Sequence, residues 1–148
     1  MNELKIAALD ADDLLIVSAH LQDAIVRPVE ASLDRKTQTF VMPLRRFVWE
    51  KKKRWLGRAR GERRLAALSI ARVSAVRSTG IDQLAEETVL NLLAIRFTPK
   101  AENDDPSGTI ELTFSAGAAI ALDVECIELR LADLGAAWQT ESRPAHDL

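Results

Sequence analysis

The sequence predicts a single α+β domain: a strongly bent antiparallel sheet, or partly open barrel, of about seven strands, with a helix after the first strand and a closing C-terminal helix. Three observations lead there. Ile110, Leu112 and Phe114 alternate with Thr109, Glu111 and Thr113, and the alternation resumes at Ile120, Leu122 and Val124 after the short run Ser115-Ala116-Gly117-Ala118. That is the period of two half-buried strands joined as a hairpin. Leu14, Val17, Ser18 and Leu21 fall at i, i+3, i+4 and i+7, the spacing of one helical face. Short turns between consecutive apolar runs favour antiparallel connections.

Leu4-Lys5-Ile6-Ala7-Ala8-Leu9 is mostly apolar and reads as the first strand. Asp10 offers an N-cap carboxylate with Asp13 three residues on, so the first helix is expected from about Ala11 to Asp23. Pro28 inside Ile25–Leu33 marks an edge strand or a broken one. Asp34-Arg35-Lys36-Thr37 is a turn, and a strand over Thr39–Trp49 completes a hairpin, with Pro43 suggesting a bulge. Leu65 to Arg77 reads as one strand whose apolar phase shifts between Ile70 and Val73. Val89 to Phe97 is apolar on both faces, as in a central strand.

The closing helix is expected to start at Asp123, with Ile127, Leu131 and Leu134 as its buried stripe and Gly135 as its stop. The domain then covers 1–138, and 139–148 is a loose tail. Strands closed by a C-terminal helix match a pleckstrin-homology-like barrel by element count alone. Expected core residues are Leu14, Leu21, Leu93, Ile95, Ile110, Leu112, Phe114, Ile120, Leu122, Ile127 and Leu131.

The chain has 148 residues, 47% of them hydrophobic and 28% charged, with a formal net charge of −2. That suits one domain and argues against disorder. No apolar run reaches the ~20 residues a membrane helix needs, and Met1-Asn2-Glu3-Leu4-Lys5 lacks signal-peptide character. A cytoplasmic location is expected, with no membrane partner. Cys126, the only cysteine, cannot form an internal disulfide; a buried structural role is expected of it.

Charge is distributed unevenly. Between Arg45 and Arg64 stand ten Lys/Arg against Glu50 and Glu62, a net +8, while the other 128 residues carry a net −10. Arg45, Arg46, Lys51, Lys52, Lys53, Arg54, Arg58 and Arg60, with Trp55 for stacking, form a candidate polyanion-binding segment. The stretch Lys51 to Gly61 is expected to be exposed and mobile, because several unpaired cations cannot be desolvated together. Its alternative reading is a solvated connector.

His20, Gln22 and Asp23 form a polar patch near the end of the first helix. His20 and tail residue His146 are the only histidines, so a hydrolytic triad would need His20. There is no Gly-x-Ser-x-Gly, no phosphate-binding glycine loop and no metal-ligand spacing. No catalytic residue, metal or cofactor is assigned.

Several stretches together resemble one bacterial family. They are Ser18–Ala24, Arg45–Glu50, Val76–Ile81, Leu90–Phe97 and Leu122–Ile127, and they are similar to the domain-of-unknown-function family numbered 2948, found mainly in alphaproteobacteria. The resemblance spans nearly the whole chain. It implies a small cytoplasmic bacterial protein of unassigned activity and carries over no catalytic residues. The leading functional expectation is a non-enzymatic binding or accessory domain with a protein partner. The alternatives are nucleic-acid or other polyanion binding through 45–64, and an enzyme using His20.

Overall fold

The structure is a computed structural model describing residues 4–49, 61–81, 86–101 and 103–134. Lys5–Ala8 (β1) leads to Asp10, whose carboxylate accepts from the Asp13 amide at 2.8 Å while Asp13 accepts in return from the Leu9 amide at 3.2 Å. This reciprocal cap starts α1, Ala11–His20. The helix ends three residues earlier than expected: Leu21 is its C-cap, and Asp23 takes a left-handed φ of 67°. Ala24–Val26 (β2) and Ser32–Asp34 (β3) are separated by a 3-10 turn begun by Pro28. Then come Thr39–Trp49 (β4), Gly61–Ile70 (β5), Val73–Thr79 (β6), Leu90–Pro99 (β7), Gly108–Phe114 (β8), Ala119–Val124 (β9) and Leu129–Asp133 (β10).

All ten strands join one sheet through antiparallel pairings, in the order β1-β10-β5-β4-β2-β7-β8-β9-β6, with β3 also on β4. Only Ala71 and Arg72 join β5 to β6, yet these strands stand third and ninth in that order. The sheet must therefore roll until its β6 edge returns to the end of β5. Arg72 makes the corner with φ 58°, its carbonyl accepting from the Glu125 amide, while the Val73 amide donates to Gln38 O at 2.9 Å.

The α+β expectation, with about seven strands and a closing helix, is thus corrected: among the described residues there are ten strands and one α-helix. The residues expected to form the closing helix form a turn and β10. Ile127 and Leu131 are four apart, a spacing shared by a helical face and by strand alternation. Leu129, fully buried, settles the period as two, with Ile127, Leu129, Leu131 and Asp133 inward and Arg130 outward. Asp123 is a strand residue opposite Thr109, not a cap. The run Leu65–Arg77 is two strands, and its phase shift is the corner at Arg72.

Pro43 causes no bulge: β4 and β5 pair without a break from Phe40↔Ile70 to Trp49↔Gly61. On its other edge Pro43 falls between the stretches paired with β3 and β2, where a missing N–H costs the ladder least. Register shifts lie instead in β6, between Val73 and Ala75, and in β7, between Leu92 and Ala94; the one in β7 turns Leu93 outward to 44% exposure, against the expectation that it is core. The Ile95 amide there donates to Ser18 Oγ of α1 at 3.0 Å, so helix and sheet are joined where the ladder is interrupted.

The other expected core residues are buried, and Ile110, Leu112 and Phe114 face inward. Burial of each contributes about 1.5–3 kcal/mol. Cys126 is half-buried in the β9–β10 turn. Expectations about Lys51–Gly61 (beyond Gly61's place in β5), Gly135 as a helix stop and the tail 139–148 lie outside the described residues.

Candidate binding groove

The groove arises because β2 is short. β2 pairs with β4 only at Ile25↔Arg45 and Val26↔Leu44, and with β7 from Ala24↔Leu92. Beyond Ala24, β4 continues to Trp49 with no strand pairing on that side among the described residues, and the gap is filled by the α1–β2 turn. The result is a depression of about 650 Å³ lined by His20, Gln22, Asp23, Arg46, Phe47, Val48, Arg63 and Asn91, with Ala19.

Asp23 is held from both sides of its backbone. Its amide donates to Leu92 O at 2.9 Å, and its carbonyl accepts from Arg63 Nη1 at 3.1 Å and Asn91 Nδ2 at 3.3 Å. These contacts stabilise a left-handed conformation that Asp tolerates better than most residues. Among the described residues, the side chains of His20, Gln22 and Asp23 make no hydrogen bond, so their donors and acceptors are open to the groove. Arg63 also lies over the Phe47 ring, 4.9 Å from its centroid, a cation–π geometry.

The polar patch and the root of the basic segment, far apart in sequence, are therefore neighbours. Arg45 is exposed, whereas Arg46 is 7% exposed and turned inward. Arg46 Nε donates to Asp133 Oδ1 at 2.7 Å and Nη2 to Oδ2 at 2.8 Å; the Leu4 amide donates to Oδ2 at 2.9 Å. Burial opposes ionisation of Asp133, but the hydrogen bonds from Arg46 and Leu4 outweigh it and hold the carboxyl below its ordinary range. The charge of Arg46 is thus compensated inside the fold. Lys51, Lys52, Lys53, Arg54, Trp55, Arg58 and Arg60 lie outside the described residues.

Sequence reasoning did not single out Arg63, Phe47 or Asn91 for this site. Arg63 stood within the basic run; its pairing opposite Phe47, which puts both on one face, is the signal that distinguishes it. A second depression, of about 440 Å³, contains Asp123, Thr109 and Lys100. There Asp123 is engaged by both Nη atoms of Arg77 and by Thr109 Oγ1 at 2.9 Å. The hydrogen bond from Arg77 is the main reason its carboxyl sits below the ordinary range.

Among the described residues, no group of three or more His, Cys, Asp or Glu could hold a metal, and no helix is long and apolar enough to cross a membrane. No curated protein and no solved structure matches the chain. The family model described as "Protein of unknown function (DUF2948)" matches residues 4–146, nearly the whole length. The chain belongs to the DUF2948 family.

Proposed function

We propose that the chain is a cytoplasmic, non-enzymatic binding or accessory module that takes a protein partner at the groove between the α1–β2 turn and the β4–β5 hairpin. The observation that carries this reading is Asp23. Its backbone is tied at both amide and carbonyl in a left-handed conformation, while its carboxylate and the side chains of His20 and Gln22 have no partner among the described residues. Backbone held in a sparsely populated region by its surroundings recurs at binding sites. Against a hydrolytic role for His20, no serine, threonine or cysteine lines the groove among the described residues.

Polyanion binding through 45–64 is the second reading. It is favoured by Arg63 stacked on Phe47 and exposed Arg45, at the root of a connection carrying Lys51, Lys52, Lys53, Arg54, Arg58 and Arg60.

The two readings separate experimentally. The wild-type chain and Asp23→Ala, at matched thermal stability, serve as baits in a bacterial lysate at low and high salt. A protein captured by wild type and lost with Asp23→Ala supports the groove; identical captures remove it. In parallel, Lys52, Lys53 and Arg54 are replaced by alanine and retention on heparin and RNA is followed against salt. The polyanion reading expects a salt slope smaller by roughly one per lost phosphate contact. Wild-type protein not retained at low salt ends it.

A further inference from the structure

The outward faces of the two halves of the sheet differ in charge. On β7, β8, β9 and β6 cations stand with carboxylates: Arg96 lies opposite Glu111 in register, and Arg77 engages Asp123. On β1, β10, β5 and β4, which are consecutive in the sheet, the outward positions carry Lys5, Arg130, Arg63 and Arg45. Among the described residues those outward positions hold no carboxylate. Asp133, at the end of β10, faces inward to Arg46.

Register fixes the arrangement. Lys5 pairs with Ala132, two residues from Arg130, and Arg45 pairs with Leu65, two residues from Arg63. In each case the two cations are diagonal neighbours on adjacent strands, about 7–8 Å apart at Cα. Ala67 and Pro43 continue the row of Lys5 and Ala132 between the two pairs, and their small side chains keep the surface open. Lys5, Arg45 and Arg130 are exposed and form no ion pair or hydrogen bond among the described residues. Arg63 forms no ion pair there either, donating instead to the Asp23 carbonyl. In a chain of net charge −2, neighbouring cations without counter-charges mark a surface suited to a polyanion.

The kind of polyanion follows from Phe47. Arg63 lies over its ring, 4.9 Å from the centroid, at one end of this surface. A guanidinium plane backed by an aromatic ring is a stacking platform for unpaired bases. An acidic protein surface or a lipid headgroup would use the charge but not the plane.

We propose that the outward face of β1, β10, β5 and β4 binds single-stranded nucleic acid. Lys5, Arg130 and Arg45 hold phosphates, and Arg63 on Phe47 stacks a base. The inference rests on the polyanion reading for its ligand class, but it moves the site from the connection after β4 onto the sheet, because Lys5 and Arg130 lie outside 45–64.

Fluorescence anisotropy of a labelled oligo-uridylate of about twelve nucleotides, within the usual site sizes, followed against salt with the full-length chain, tests this. Wild type should bind at low salt. Lys5→Ala with Arg130→Ala should weaken binding about tenfold and lower the slope of log K against log salt by about 1.4, two phosphate contacts at about 0.7 each. Lys36→Ala with Lys100→Ala removes the same charge from exposed positions off this face and should leave the slope unchanged. All four side chains are exposed, so far-UV circular dichroism should be unchanged in both double variants. Arg63→Lys keeps the charge but not the plane, and should weaken binding to the oligonucleotide several times more than binding to heparin. No binding by wild type overturns this proposal and the polyanion reading together. Loss when Lys52, Lys53 and Arg54 are replaced but not when Lys5 and Arg130 are, or an equal loss in the Lys36 and Lys100 control, overturns the sheet face alone. Equal weakening toward oligonucleotide and heparin in Arg63→Lys overturns the assignment to nucleic acid.

Discussion

Arg46 and Arg63 stand on neighbouring strands near the same end of the β4–β5 hairpin, and they face opposite sides of the sheet. Arg46 continues the inward row Phe40, Met42, Leu44, and meets Asp133 at the end of the row Leu129, Leu131. Arg63 faces outward over Phe47 and donates to the Asp23 carbonyl. Both belong to a single basic run in sequence, but one closes the core and the other shapes a groove. Charge density along a chain therefore does not measure charge available to a ligand. The parity of each residue within its strand decides which role it takes.

The largest effect that would break this comparison is expected at Arg46. Arg46→Ala leaves Asp133 buried without its partner and should lower stability by about 3–5 kcal/mol, read by denaturant unfolding, whereas the apolar pair Arg46→Met with Asp133→Leu should recover most of that loss. A mild effect of the single substitution would mean that the pair is not desolvated.

The same pair gives a pH signature. The carboxyl of Asp133 is held below its ordinary range in the folded protein. Its contribution is therefore complete above about pH 5 and is lost as pH falls through the unfolded value near 4 toward the lower folded one. Asp133→Asn should remove that component of the acid-unfolding curve, and a curve identical to wild type would show that Asp133 does not contribute to it.

Arg63→Ala should lower stability by only about 0.5–1 kcal/mol, the scale of an exposed cation–π contact, while weakening capture through the groove by removing one of the two donors that hold the Asp23 carbonyl. Loss of stability comparable to Arg46→Ala would erase the distinction between the two arginines. The smallest change is expected at Arg77, which pairs with Asp123 by both of its Nη atoms but is 57% exposed at its side chain. Arg77→Ala should leave the unfolding midpoint nearly unchanged, as solvent-screened pairs usually do.

Local patterns were legible where burial follows one period without interruption. The capped start of α1 at Asp10, the β8–β9 hairpin and the inward set Ile110, Leu112, Phe114 all follow from spacing. The pattern misled where two periods coincide, as at Ile127 and Leu131, and where a ladder skips a residue, as at Leu93. Of the candidate site, His20, Gln22 and Asp23 were visible as a polar patch; Arg63, Phe47 and Asn91 were not, because they reach it from three separate strands or faces.

The sequence by itself determined those local elements whose burial follows one period, such as the start of α1 and the β8–β9 hairpin, since alternation, capping and turn chemistry act over a few residues. It also determined the concentration of positive charge between Arg45 and Arg64. Only the tertiary structure decided that β5 and β6, two residues apart in the chain, end on distant positions of one rolled sheet. The same applies to the premature end of β2, which opens a groove, and to Asp133, brought 87 residues back to Arg46. These outcomes depend on long-range strand pairing, whose register is set by the whole inward face packing together and leaves no mark on any short stretch of sequence.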